Sequence, residues 1–200
     1  MKSRLDHNAH DRRIWEEELE GFVPRRIFDA HAHLFWHTHL PPEHPGLKAW
    51  HDADHARYPR IKWILAHCAR SFTYWPIRES VERLRDLPNI FYDLSAVCDV
   101  RPILTLFQKE DVKRIFFGSD GVSPTFFRSG YFALVRSWVT IAGAAYSEER
   151  FPHCDGRPIL AIYENLLAIK QAAEIAGFGR REIEAIFWKN AARQILGNGY

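Results

Sequence analysis

The fold class predicted by the sequence is α/β, with parallel strands covered by helices, and three observations predict it. Short, almost wholly apolar runs recur at Ile61–Ala66, Ile90–Leu94 and Lys113–Phe117. They are too short for helices and lack the alternation of a strand with one wet face, as expected for strands buried on both sides. Between them lie stretches with apolar residues at three- and four-residue steps, such as Ile77, Val81, Leu84 and Leu87. Finally, the C-terminal ends of the apolar runs carry His31 and His33, His67, Asp93 and Ser95, and Asp120. Parallel α/β sheets place their chemistry beyond those ends.

In chain order, residues 1–24 read as an exposed N-terminal arm, with a weak helix over Asp11–Glu20 that Gly21 and Pro24 end. Residues 25–200 read as one domain, since no linker, repeat or low-complexity tract divides them. Ile27–Phe35 is the first strand. Residues 36–46 (WHTHLPPEHPG) form a loop, because three prolines remove amide donors and fix the backbone. Leu47–Ala56 is helix-compatible. The strand Ile61–Ala66 delivers His67, Cys68, Ala69 and Arg70. A helix opens at Trp75-Pro76, with proline in the first turn where its missing amide costs nothing, and runs to about Asp86. The strand Ile90–Leu94 follows, then a helix over Val100–Lys109 capped by Asp99, then the strand Lys113–Phe117. Three helix-compatible stretches close the chain, at about 128–145, 158–176 and 180–196, with Gly177 and Gly179 between the last two.

Composition excludes several function classes. The 200 residues are 46% hydrophobic and 26% charged, with a formal net charge of +2 and no basic stripe of the kind nucleic acid requires. The pairs Arg25-Arg26 and Arg180-Arg181 read as solvated. No window has the length of a membrane span, and the first 20 residues lack the apolar core of a signal peptide. Cys68, Cys98 and Cys154 are widely spaced and odd in number, so no disulfide framework is expected and a reducing, cytoplasmic setting is the default.

Histidine is the unusual entry: of 11, seven (His31, His33, His37, His39, His44, His51 and His55) fall within 25 residues. His31 and His33 matter most, because residues i and i+2 of a strand point the same way. Two imidazoles can thus grip one metal ion, but an open catalytic centre wants three or more protein ligands. Taken singly, His67 is more often a packed histidine than a catalyst and Asp120 as readily a turn cap as a site residue; jointly, one metal site explains the strand ends better. No GxSxG elbow, Walker loop or GxGxxG turn is present. Cys68 beside His67 is not read as a nucleophile pair, because neighbours on a strand face opposite ways.

The segments FDAHAHLF (28–35), YPRIKWILAHCARSF (58–72), NIFYDLSAV (89–97), KRIFFGSD (113–120) and IFWKNAARQIL (186–196) together resemble the amidohydrolase superfamily. The likeness is to the amidohydrolase-related branch that includes aminocarboxymuconate-semialdehyde decarboxylase. It implies a (β/α)-barrel-type fold and one divalent metal ion, commonly zinc. His31, His33 and Asp120 match the family's metal ligands, and His67 matches the histidine of its sixth strand, an acid/base. The family has four more strands between its first histidine pair and that histidine, whereas only 33 residues separate His33 from His67 here. The resemblance therefore implies a truncated or partial TIM barrel with strands one, six, seven and eight. His37 or His39 stands in for the ligand of the absent fifth strand.

The expected function is that of a metal-dependent hydrolase, or a decarboxylating lyase, acting on a small-molecule substrate. The ion activates water and polarises a carbonyl, His67 moves the proton, Asp120 doubles as proton acceptor, and Arg70 pairs with a substrate carboxylate through its planar fork. Four strands cannot close a barrel of this diameter, which leaves an open four-stranded sheet flanked by helices, a homodimer of half-barrels, or a degenerate product that folds poorly. The alternative from another class is a non-catalytic truncated relative with a structural or association role.

Overall fold

The computed structural model describes residues 7–31, 62–121, 128–142 and 159–197. Its centre is a parallel sheet of three strands, β1 (Trp63–Leu65), β2 (Ile90–Asp93) and β3 (Ile115–Phe116), in that spatial order. The register pairs Trp63 with Ile90, Leu65 with Tyr92, and Asp93 with Phe116. Helix α2 (Tyr74–Leu84) connects β1 to β2, and helix α3 (Val100–Lys109) connects β2 to β3. Asp99 caps α3 by accepting the Arg101 amide at 3.0 Å, as its position before the helix predicts.

All four residues of β2 are buried, which is why the strand reads as an unbroken apolar run ending in a carboxylate. Alternate residues serve two cores. Ile90, Tyr92, Ile115 and Phe117 pack with Ile77, Val81, Ile103 and Leu106 of the covering helices. Phe91 and Phe116 stack at 5.4 Å on the other face, with Ile64, Phe28, Ala30 and Ala191. Each fully buried isoleucine contributes about 1.5–3 kcal/mol relative to exposure. The Arg114 guanidinium fastens the entry to β2, donating to the carbonyls of Ile90 (2.7 Å), Leu87 (2.6 Å) and Arg85 (2.9 Å) and to Glu110 (2.9 Å).

The first expected strand is described as far as His31. Ile27–His31 runs extended beside β3 without forming a regular ladder: Phe28 N donates to Phe187 O (2.7 Å), Ala30 N to Phe117 O (3.1 Å), and Asp120 N to His31 O (2.8 Å). The sheet is thus flanked by this segment at β3, and among the described residues no barrel is closed. The proline-rich loop and the helix expected over Leu47–Ala56 lie outside the described residues, as does Cys154.

Three expectations are corrected. The N-terminal arm packs along one side over residues 8–23: helix α1 (Ala9–Ile14) continues through a wider turn over Trp15–Leu19, and Leu19 and Val23 enter the main core, while Arg12, Arg13, Glu16, Glu17 and Glu18 stay exposed. The stretch expected as a helix at about 128–145 is, over the residues described, an antiparallel hairpin, β4 (Ser129–Leu134) and β5 (Ser137–Ala142). Tyr131, Phe132, Trp138, Val139 and Thr140 are aromatic or β-branched, which suits a pleated surface better than a helix. The residues after β1 do not continue as strand. His67, Cys68, Ala69 and Arg70 all have φ between 53° and 58°, a left-handed turn made without glycine.

The last two helical stretches stand as expected. Helix α4 covers Ala161–Ala176 and ends on Gly177 at φ 70°, the left-handed cap that glycine provides at least cost. Helix α5 (Arg180–Glu184) continues in wider turns through Ala185–Lys189 and Ala192–Leu196.

Candidate metal centre

The C-terminal ends of β1, β2 and β3 and the end of the Ile27–His31 segment converge. One donor atom each from His31, His67 and Asp120 lies within 4.8 Å of the others. His31 Nε2 stands 3.5 Å from Asp120 Oδ1, with the two side chains 16% and 18% exposed. They are sheltered yet still reachable by a small molecule. The imidazole rings of His31 and His67 are 5.1 Å apart.

Local structure explains why they meet. Asp29 Oδ1 accepts the amides of His31 (3.1 Å) and Ser119 (2.9 Å), tying the first segment to the exit of β3. Gly118 permits this approach: a Cβ there would stand 2.7 Å from His31 Cβ and 3.3 Å from Ser95 Cβ. Asp120 takes φ 63°, a left-handed conformation that aspartate tolerates better than most residues. His67 is brought round by the left-handed turn, whose first amide donates to Asp93 Oδ1 at 3.1 Å.

Beneath the rings lie Asp93 and Ser95, both buried. Asp93 Oδ2 faces His31 Nδ1 at 3.0 Å, and Ser95 Oγ lies 2.8 Å from His31 Nδ1 and 3.0 Å from His67 Nδ1. The Ser95 carbonyl stands 2.9 Å from His67 Nδ1. Burial disfavours the charged His31 ring, but its hydrogen bond to Asp93 and the charges of Asp93, Asp120 and Asp29 prevail and hold it above the ordinary value. Burial likewise works against the Asp93 carboxylate, and the bonds from His31 and Ser95 with the charge of His67 hold it low.

The donor set fits a divalent ion of the zinc type: two imidazoles and a carboxylate, with an acceptor behind the remote ring nitrogen of each histidine. An aromatic wall borders it, in which the Phe72 ring lies 5.1 Å from His67, 4.6 Å from Tyr131 and 5.0 Å from Trp138.

Among the sequence-derived candidates, His31, His67 and Asp120 come together. Arg70 ends the left-handed turn exposed, with its side chain in water. His33, His37 and His39 lie outside the described residues. Cys68 is fully buried, and burial pushes its thiol well up, in keeping with a packed residue and not a nucleophile. The sequence flagged Asp93 and Ser95 by their place at a strand end but gave them no task. Asp29, Gly118 and Tyr131 went unremarked; the clue to Asp29 was its position two residues before His31, in reach of that amide.

A parallel sheet with a histidine–histidine–aspartate cluster at its strand ends defines the class of α/β proteins that carry a metal centre on the strand termini. The amidohydrolase family model matches residues 28–194, and the chain belongs to that family. No curated protein and no solved structure matches the chain.

Proposed function

We propose that this chain is a metal-dependent hydrolase whose ion is held by His31, His67 and Asp120. Family membership supports a hydrolase-type activity in general. The observation that carries the finer reading is the convergence of those three donors within 4.8 Å, each from a different segment of the chain.

When bound, a zinc-type ion supplies a Lewis acid and the activation of water near neutral pH. The protein supplies the rest. A carbonyl oxygen can only accept a hydrogen bond, so the Ser95 carbonyl keeps the proton of neutral His67 on Nδ1 and leaves its Nε2 as a lone-pair atom. That atom can hold an ion or take up a proton, and once charged it can return the proton to a leaving group. Asp120 offers a second proton acceptor beside His31. Arg70, in water at the rim, pairs with a carboxylate on the substrate, and Phe72, Tyr131 and Trp138 keep water from one side. His33, with His37 or His39, is proposed to complete the ligand set, and the bond broken is a C–N or C–O bond or, in a decarboxylation, a C–C bond.

The test is metal content after purification in zinc-supplemented medium. Wild type is expected to retain about one ion per chain, and His31→Ala and Asp120→Ala to lose it. Equal metal in all three would sink the proposal. His67→Gln separates its two roles: lost metal marks a ligand, whereas retained metal with lost turnover marks an acid/base.

The open sheet favours one second reading, a catalytically silent relative acting through association. β1 pairs only with β2 among the described residues, and an unpaired parallel edge favours a homodimer. Sedimentation at micromolar concentration tests this, and a clean monomer would remove it.

A further inference from the structure

Asp93 and Ser95 touch both histidines of the centre without belonging to its set of donors. Asp93 Oδ1 accepts three hydrogen bonds, from the amide of His67 (3.1 Å), the amide of Ser95 (3.0 Å) and the Ser95 hydroxyl. Asp93 Oδ2 is left to face His31 Nδ1 at 3.0 Å. Because the hydroxyl proton of Ser95 is directed at Asp93, its oxygen can only accept from the two ring nitrogens beside it. His67 Nδ1 also meets the Ser95 carbonyl at 2.9 Å. Acceptors therefore stand behind Nδ1 of both rings: the Ser95 hydroxyl oxygen is shared, and what differs is the acceptor beside it, a side-chain carboxylate for His31 and a main-chain carbonyl for His67.

We infer that Asp93 is a positioning residue that fixes the proton of His31 on Nδ1, while the main chain of Ser95 independently fixes that of His67. The inference rests on the metal-centre reading for its purpose, since it is Nε2 of each ring that would meet an ion. It does not rest on that reading for its chemistry.

Asp93→Asn tests it sharply. Oδ1 must remain an oxygen, because three donors point at it, so the amide nitrogen has to replace Oδ2. That sets an N–H donor against His31 Nδ1, and the ring relieves the clash of two donors by moving its proton to Nε2. His67, whose acceptor is a backbone carbonyl, keeps its tautomer. A side chain that acted only in packing would leave both rings unchanged.

The experiment uses the whole chain, metal-free, with ¹⁵N-labelled histidine, and reads the tautomer of each neutral ring directly. Ring-nitrogen NMR is expected to show the proton on Nδ1 of His31 and His67 in wild type. In Asp93→Asn it is expected on Nε2 of His31 alone. Ser95→Ala, which keeps both the carboxylate and the carbonyl, is expected to leave both tautomers as in wild type. A titration with Co²⁺ alone gives the second readout: affinity should fall about 10- to 100-fold in Asp93→Asn. The inference is overturned by a His31 proton on Nε2 in wild type, by an unchanged His31 in Asp93→Asn, or by both rings inverting together. The wild-type spectrum decides even if the variant does not fold. Wild type that binds no cobalt would overturn the metal reading, and the tautomers would still decide this inference.

Discussion

Asp11 and Asp93 are both buried aspartates held charged by their surroundings, and they differ in what surrounds them. Asp11 receives a bidentate pair of bonds from Arg128 (2.8 and 2.6 Å), together with the amides of Asn8 (2.9 Å) and Leu160 (3.3 Å). It joins the first helix, the approach to the hairpin and the start of α4. Among the described residues Asp93 has no arginine partner; it is ringed by the amides of His67 and Ser95, a hydroxyl and the His31 ring, which can change charge or tautomer. A permanent cation makes a lock. Titratable partners make a site, because the group at the centre passes its influence on to atoms that face a substrate.

The contrast can be broken from either side. The largest effect is expected from Asp11→Ala, which takes the buried carboxylate away from the half-buried Arg128 and should cost about 3 kcal/mol in urea unfolding, the low end for a broken buried pair. Metal content per folded chain should stay as in wild type. Lost metal would show that the lock and the site are one unit. The same pair has a pH signature. Burial opposes the Asp11 charge, but the bonds from Arg128 and the nearby amides outweigh it and lower its pKa below 3.8. Its contribution is therefore whole above about pH 4 and fades as pH falls through the lowered value. Asp11→Asn should flatten that acid limb of the stability curve, and an unchanged limb would assign it to other carboxylates.

Two glycines sharpen the comparison at smaller scale. Gly118→Ala forces a methyl group against His31 Cβ and should cost about 1–3 kcal/mol by overpacking, with weakened cobalt binding as its second mark. Gly177→Ala meets nothing within 4 Å, so only its left-handed backbone objects. It should cost about 1 kcal/mol and leave metal binding alone. Equal losses of metal in both would contradict a local role for Gly118.

The sheet was legible in the sequence because Ile64, Ile90, Phe91 and Ile115 form apolar runs too short for anything else. The hairpin was not: Tyr131 to Thr140 satisfies helical spacing loosely, and its aromatic and β-branched content carried the better signal. His31, His67 and Asp120 could be nominated because strand ends are where such folds keep their chemistry. That Asp93 would serve the His31 ring and the His67 amide from one carboxylate could not, since this depends on how Gly118 lets two segments approach. The left-handed turn was hidden for a simpler reason: Cys68, Ala69 and Arg70 announce nothing of the kind, where glycine would have.

That turn also bears on when the centre comes into being. Each L-residue in a left-handed helical conformation is held against a preference of about 1–2 kcal/mol, and four stand in succession here. The surrounding contacts that impose it, from Asp93 and from the neighbouring strand ends, exist only after the sheet has formed. His67 should thus reach its place last during folding and leave it first during local opening, so that amides 67–70 exchange with solvent well before those of β2. The chain would then pass through a folded but incompetent state, with its scaffold complete and its chemistry not yet assembled.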